Sequence, residues 1–383
     1  MDPGPGSAGA FLDRFHVALA AASAPEASPA DVDALVDGFF LRAGGENIGA
    51  DAGTSLLLGP APGQRWAPAA LRAALRGAAR NSSGRAVLPA TAPRGRRVAD
   101  ATSLGLSLAL ADEELSADSA TQLRGTAVLV HIGSGWRVLL YHLSYAVPND
   151  LAGPVGRFCV RGEFVAAGAV GDAAGGAAER ATAEPFAGSF AEASCALAEF
   201  LSGRFHAAAA AAQLEAYLGC WAAQGHFLGT DAAENWNVPA LREFARVAFS
   251  GSTGRRGWEY RTLERVAIEF RHAGIEIALV DEVLENPDAG KMGLVGATFR
   301  GSAVAMRTQP PADSAAGEAE PAAGGEGSAR AQRTQPPLAK AARMAESDWQ
   351  MVQYHLTFAL GVEEAARFKE YLGVPPAPEG GGQ

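Results

Sequence analysis

The sequence predicts an α+β fold built twice in tandem, each copy carrying N-terminal helices packed on a curved, mostly antiparallel β-sheet. Three observations predict it. Motifs from the first half of the chain return in the same order in the second. Apolar residues near the front of each half recur at helical spacing. Toward the back of each half they alternate with period two, as strands do. Helices followed by strands is an α+β order rather than an alternating βαβ one. A sheet curled over its own helices makes a cone with a pocket inside.

The repeat is the firmest of the three. Trp136-Arg-Val-Leu-Leu-Tyr141-His142-Leu143-Ser144 answers Trp349-Gln-Met-Val-Gln-Tyr354-His355-Leu356-Thr357. Upstream, Arg124-Gly125-Thr126-Ala127-Val128 answers Arg300-Gly301-Ser302-Ala303-Val304, and Asp112-Glu113 answers Asp281-Glu282. Arg97-Val98-Ala99 pairs with Arg265-Val266-Ala267, and Leu71-Arg72 with Leu241-Arg242, each Leu following Trp66 or Trp236. Gly49-Ala50-Asp51-Ala52 pairs with Gly229-Thr230-Asp231-Ala232, and Phe15-His16 with Phe205-His206. Seven matches in one order mark a duplication. The first module is placed at 7–150, a linker at 151–185 and the second module at 186–373. An Ala/Gly/Pro/Glu-rich insert at about 308–345 and a tail at 374–383 read as disordered.

Within a module, Ser28-Pro29 supplies a cap and a first-turn proline, and Val32, Leu35, Val36, Phe39 and Phe40 follow on one helical face. An earlier helix carries Phe11, Phe15 and Leu19. In the second copy Leu214, Tyr217, Leu218 and Trp221 show the helical period. A short strand is expected to end at each Gly-x-Asp turn, followed by a helix around Leu71 or Leu241. Leu104, Leu106, Leu108 and Leu110 alternate as a strand, as do Ile275, Ile277 and Leu279. Thr126–Ile132 and Arg137–Val147 form two more, joined through Gly133-Ser134-Gly135 as a hairpin.

Composition narrows the function classes. A net charge of −10 leaves no basic excess for nucleic-acid phosphates. Cys159, Cys195 and Cys220 have neither metal-ligand spacing nor a disulfide framework, and they read as reduced residues in a cytoplasmic protein. Neither a secretory signal nor a membrane span is expected. No phosphate loop, nucleophile elbow or zinc motif occurs, so neither metal nor cofactor is expected.

Phe205-His206, the run Phe227–Trp236, Gly257-Trp258-Glu259-Tyr260, Arg265, Asp281-Glu282, Arg300-Gly301 and the closing Trp349…Tyr354-His355 resemble the SnoaL-like pattern of the nuclear transport factor 2-like superfamily. The first copy keeps fewer of these motifs: Thr54 stands where Glu234 would be, and nothing answers Gly-Trp-x-Tyr. The resemblance implies the cone fold and a small-molecule site in the second module, with isomerase-, cyclase- or hydrolase-type acid–base activity. The calcium/calmodulin-dependent kinase association domain of the same superfamily has a similar Trp…His-x-Ser ending, which implies the alternative of an assembly module. Single-domain relatives dimerise through the sheet, so the two copies are expected to pair as an intramolecular pseudo-dimer.

The candidate pocket in the second module comprises His355, Asp231, Arg300, Trp258, Tyr260, Asp281 and His206. Its first-module counterparts are His142, Asp51, Arg124, Asp112 and His16. Period-two alternation puts Trp136, Val138, Leu140, His142 and Ser144 on one face, and Trp349, Met351, Gln353, His355 and Thr357 likewise. A histidine there serves either as a proton carrier or as a buried structural group. Asp51 and Asp231 are either general bases or turn caps. Asp112-Glu113 and Asp281-Glu282 are either paired carboxylates for acid–base chemistry, of which at most one of each pair can enter a pocket, or solvated strand-end charges. Arg124 and Arg300 hold either a carboxylate ligand or those acids. Trp236, Trp258 and Tyr260 line a cavity or pack the core. The ligand class this set suits is small and apolar or acidic.

Overall fold

A computed structural model describes residues 6–41, 55–61, 63–80, 88, 91–116, 122–133, 135–147, 151, 155, 193–251, 257–287, 297–308 and 349–360. The linker, the insert and the tail expected from composition lie almost wholly outside the described residues, as does Asp51.

In the first module, helix α1 (Ala8–Ser23) begins where Ser7 accepts a hydrogen bond from the Ala10 amide, and it buries Phe11, Leu12, Phe15 and Leu19. Helix α2 (Pro29–Phe39) starts at a reciprocal capping box between Ser28 and Asp31 and buries Val32, Leu35 and Val36. Strands β1 (Leu56–Leu58) and β2 (Arg65–Trp66) precede helix α3 (Pro68–Arg80). Strands β3 (Ala92–Asp100), β4 (Leu108–Ser116), β5 (Gln122–Ile132) and β6 (Gly135–Tyr145) complete the sheet.

The second module repeats the plan. Three helical segments, Cys195–Ala198, Glu199–His206 and Ala207–Ala210, run on as one helix, α4, whose middle segment is π-helical. Helix α5 (Leu214–Gly219), strands β7 (Trp221–Leu228) and β8 (Asn235–Asn237) and helix α6 (Val238–Phe249) follow. Strands β9 (Arg261–His272), β10 (Ile275–Glu285), β11 (Thr298–Thr308) and β12 (Gln350–Phe358) close it.

The two sheets have the same topology, β2-β1-β6-β5-β4-β3 and β8-β7-β12-β11-β10-β9. Each contains one parallel pair, β1 with β6 and β7 with β12, and is otherwise antiparallel. The fold is therefore α+β in two modules. Among the described residues no helix is long and apolar enough to cross a membrane.

Each sheet buries both faces. One face packs on its own helices: Phe15, Leu35, Leu71 and Tyr141 share a core in the first module, and Phe205, Tyr217, Leu241 and Tyr354 in the second. The other faces meet. Leu108, Leu110 and Leu140 of the first sheet share a third apolar cluster with Ile277, Leu279 and Val304 of the second. At about 1.5–3 kcal/mol per fully buried aliphatic side chain, this shared layer contributes as a core does.

Two local readings are corrected. Leu104 and Leu106 are not in a strand: Leu104 has φ +52°, and a Ser103–Leu106 bridge closes a turn before β4 begins at Leu108. The alternation along β6 and β12 is also interrupted. In β6 Val128 pairs with Leu140 but Leu129 with Val138, so Leu139 is an extra, bulged residue. Val352 is bulged at the equivalent place in β12. The bulge flips the phase, so Val138 and Met351 enter the helix-side cores. His142 and His355, beyond it, stay on the face between the sheets.

Candidate functional site

Adjacent strand residues face opposite ways, and this simple rule splits each Asp-Glu pair. Asp112 and Asp281 face the other module. Glu113 and Glu282 face their own helices. None is a solvated strand end: Asp112 keeps 8% of its surface exposed, Asp281 1% and both glutamates 0%. Two clusters of different character result.

On the inter-sheet face, Arg124 and Arg300 form reciprocal clamps. Arg124 binds Asp112 through Nε at 2.7 Å and Nη2 at 3.0 Å. Its remaining protons go to the carbonyls of Gly229 at 2.7 Å, Asp231 at 2.8 Å and Glu234 at 3.1 Å, in the turn between β7 and β8. Arg300 does the same with Asp281 and the carbonyls of Gly59, Ala61 and Gln64, in the turn between β1 and β2. A guanidinium has five N–H donors, and each arginine uses all of them. Asn235 adds a bond to Asp112 at 2.8 Å, and Arg65 an ion pair to Asp281 at 3.0 Å.

Between the clamps, His142 Nδ1 lies 2.7 Å from the Ser302 hydroxyl and His355 Nδ1 lies 3.1 Å from the Thr126 hydroxyl, each pair crossing the interface. The two imidazoles sit 4.7 Å apart, centre to centre. Burial pushes both well below the ordinary histidine range. The Arg300 and Arg124 charges add to this for His142, and His142 with both arginines for His355. Both rings are neutral near pH 7.

On the helix side each module has a second cluster. In the second, Glu282 Oε2 lies 3.0 Å from His206 Nε2 and accepts from the Tyr354 hydroxyl at 3.1 Å, while Oε1 accepts from Arg265 Nε. Arg265 also reaches the Ser202 hydroxyl at 2.8 Å. Burial alone raises the Glu282 pKa, but the facing His206 and Arg265 outweigh it and hold the carboxyl at about 2. Burial, with the Glu282 charge, pushes Tyr354 well above the usual phenol range. The first module matches this group for group: Glu113 bonds His16 at 2.9 Å, Arg96 Nε at 2.6 Å and Tyr141 at 3.4 Å. There Arg96 is also held by Asp13 and the Gly9 carbonyl of α1.

Two features set the second cluster apart. His206 ends the π-helical segment of α4, whereas His16 lies in regular helix; such segments occur often at functional sites. A set of nearly parallel aromatic rings also leads to it from the surface. Phe244, 38% exposed, stacks on Trp236 at 4.1 Å and on Trp258 at 5.6 Å. Phe227 stacks on both tryptophans and on Tyr354 at 6.1 Å. Tyr260 lies half-buried beside His206. In the first module Leu57 and Ala74 stand at the places of Phe227 and Phe244.

The predicted pocket residues thus do not converge. His355, Arg300, Asp281, His142, Arg124 and Asp112 belong to the inter-sheet face, where side chains of the other module occupy the space. Asp231 sits in the β7–β8 turn, where its carboxylate accepts from the Ala233 amide. Its first-module counterpart is Ala61, because Gly59 N–Gln64 O and Gly229 N–Glu234 O close the two equivalent turns. Gln64, not Thr54, therefore stands where Glu234 does. His206, Tyr260 and Trp258 remain with the helix-side cluster, as His16 does in the first module.

Sequence reasoning read Glu113 and Glu282 as solvated strand-end charges and left Tyr141 and Tyr354 out of the candidate pocket, although all four lie inside the repeated motifs. It paired Arg265 with Arg97, whereas strand register pairs Arg265 with Glu282 and Arg96 with Glu113. A surface groove of about 350 Å³ between α1 and α2, lined by Val17, Ala18 and Ala21, touches the first cluster only through Asp13. Among the described residues no group of three or more histidine, cysteine or acidic side chains is placed to hold a metal ion.

Residues 199–309, from the π-helical segment to the end of β11, match the SnoaL-like domain family. That match lies wholly within the second module. No curated protein matches the chain. Solved structures similar to it include a protein of unknown function with a cystatin-like fold from Nostoc punctiforme, at 11% identity and a TM-score of 0.25, over 43% of this chain and 88% of that one. An NTF2-like protein of unknown function in nutrient uptake from Rhodospirillum rubrum is 16% identical with a TM-score of 0.25, over 43% and 98%. A putative calcium/calmodulin-dependent protein kinase type II association domain from Thiobacillus denitrificans is 18% identical with a TM-score of 0.23, over 41% and 90%. The SnoaL-like match covers the helix-side cluster from His206 to Glu282.

Proposed function

We propose that this chain is a cytoplasmic small-molecule-binding protein whose SnoaL-like second module holds the site, with acid–base chemistry of isomerase, cyclase or hydrolase type centred on His206. The observation that carries this reading is the ionised, fully buried Glu282 bonded to His206. A carboxylate on one ring nitrogen fixes the tautomer and stabilises the imidazolium that forms when the other nitrogen takes up a proton. Nε2 is committed to Glu282, so Nδ1 is the position that exchanges protons with a ligand. Glu282 has no exposed side-chain surface, whereas His206 keeps 10% and Arg265 11%, so a ligand meets the histidine and not the carboxylate. Trp258 and Tyr260 supply the apolar wall that a small apolar or acidic ligand needs.

The test is a thermal-shift screen of small acidic and polycyclic compounds against the whole chain, repeated with His206→Gln and with His16→Gln. The expected result is a compound that raises the melting temperature of wild type and His16→Gln but not of His206→Gln. A compound whose shift ignores the His206 substitution would remove the proposed site.

A second reading, a non-catalytic assembly module, draws support from the inter-sheet face. His142, His355 and the arginine clamps are spent on holding one module to the other, as an intramolecular pseudo-dimer would require. Calorimetry separates the parts of this proposal. Modules sharing one interface unfold in a single transition, and two independent transitions would sink the pseudo-dimer.

A further inference from the structure

We infer that Arg124, a residue of the first module, is a positioning residue for the site of the second. This rests on the site reading above and adds to it a dependence of one module on the other. The turn that Arg124 grips through the carbonyls of Gly229, Asp231 and Glu234 is short, and its two ends carry Phe227 and Trp236 of the aromatic stack. Phe227 and Trp236 face each other across the β7–β8 pair directly beside it. From there the contacts are continuous. Trp236 stacks on Phe244 and Phe244 on Trp258, while Phe227 stacks on Tyr354, whose hydroxyl is bonded to Glu282 and through it to His206.

The grip is rigid for a physical reason. Arg124 is 1% exposed and spends every donor, two on Asp112 and three on backbone oxygens. The turn cannot shift without leaving buried donors or carbonyls unpaired. Asn235, next to Trp236, adds a second tie to the same Asp112. The mirror arginine supplies an internal control. Arg300 is equally buried and grips the β1–β2 turn with the same bonds, but Leu57 and Ala74 stand where Phe227 and Phe244 would be. The same clamp therefore ends on an aromatic wall in one direction only.

The experiment compares Arg124→Gln with Arg300→Gln in the full chain, by NMR of the histidine ring signals at one pH. His206 and His16 are assigned from their own Gln variants. Arg124→Gln is expected to move the His206 resonance. Arg300→Gln is expected to move His206 less than Arg124→Gln does. Where a binding compound is in hand, its affinity falls about ten-fold in Arg124→Gln and stays near wild type in Arg300→Gln. If both variants move His206 alike, or neither does in a folded chain, the inference is overturned. Should Arg124→Gln fail to fold, Asn235→Ala carries the same test: a change at His206 supports the inference and an unchanged His206 overturns it. The NMR arm needs no ligand, so a failed ligand screen and a failed positioning role are told apart.

Discussion

A carboxylate with no solvent contact persists only if its oxygens are fully used, and Glu282 uses both. Its folded pKa of about 2 lies below the ordinary glutamate value. The stability it contributes is complete above the unfolded value near 4.5 and is lost as pH falls toward 2, on the order of 3 kcal/mol in all. Urea unfolding of wild type and Glu282→Gln between roughly pH 3 and 6 should show a steeper acid loss in wild type; equal slopes would count against the assignment. The glycine of the repeated Arg-Gly motif follows from the same cluster. A methyl group at Gly301 would run into the Tyr354 hydroxyl, and one at Gly125 would meet the Tyr141 hydroxyl at 2.5 Å. Gly301→Ala should therefore cost about 1–3 kcal/mol, and Gly301→Ala/Tyr354→Phe less than the two separate losses combined. The buried histidines respond in the opposite part of the pH scale. Their folded pKa values are lowered, so the stability tied to their neutral forms is complete above about 6.5 and falls below it, by about 1.4 kcal/mol per pH unit for each ring. Arg124, paired with Asp112, and Arg300, paired with Asp281, face them and oppose their protonation. Replacing His142 with Gln should flatten the decline between roughly pH 6.5 and 5 in denaturant titrations. A slope like that of wild type would mean the ring titrates elsewhere.

At the level of elements, legibility tracked how local the cause was. Ser28-Pro29-Ala-Asp31 marks its own helix start because the capping box is made by residues three apart, and the helix forms there. The order of helices and strands was legible for the same reason. The bulges at Leu139 and Val352 were not, because nothing in Arg-Val-Leu-Leu or Gln-Met-Val-Gln marks an extra residue; it exists only against the neighbouring strand. Extending period two through them put Trp136 and Val138 on the histidine face, whereas both pack on the helix side. The π-helical turn of α4 was equally silent, and so was the site, since Glu113 and Glu282 read as solvated until a helix was laid over them. Deleting Val352 removes the phase change and forces either Met351 or His355 through the sheet. The expected outcome is loss of the near-UV circular dichroism of the folded chain, whereas Val352→Ala keeps it. A deletion variant with a native spectrum would show that the bulge is dispensable.

For the whole molecule, the duplication read from sequence survives in topology, yet two of its pairings were displaced. Gly229 answers Gly59 rather than Gly49, and Arg265 answers Arg96 rather than Arg97. Loop residues carry weak repeat signal, and one arginine in a run of them aligns as well as the next. The same scale decides what the clamps are worth. Asp281→Asn leaves a buried guanidinium short of its counter-charge and should cost about 3–5 kcal/mol, with little relief from salt because the pair is shielded from solvent. A cost that shrinks markedly at high ionic strength would place the pair in contact with water.

The reciprocal arginines also bear on what a fused chain can do that two separate copies cannot. In an assembly of identical subunits any substitution happens on both sides of the axis at once, so a residue suited to only one side is never available. Here the two sides are spelled out separately. Asn235 can reach Asp112 while Arg65 reaches Asp281, and Gln353 can stand at the place where the other strand has Leu140. One half can keep a stack of aromatic rings and the other can fill the same space with Leu57 and Ala74. Joining the halves thus fixes their ratio at one to one and frees each to specialise, while the arginines make every such change answerable to the opposite half.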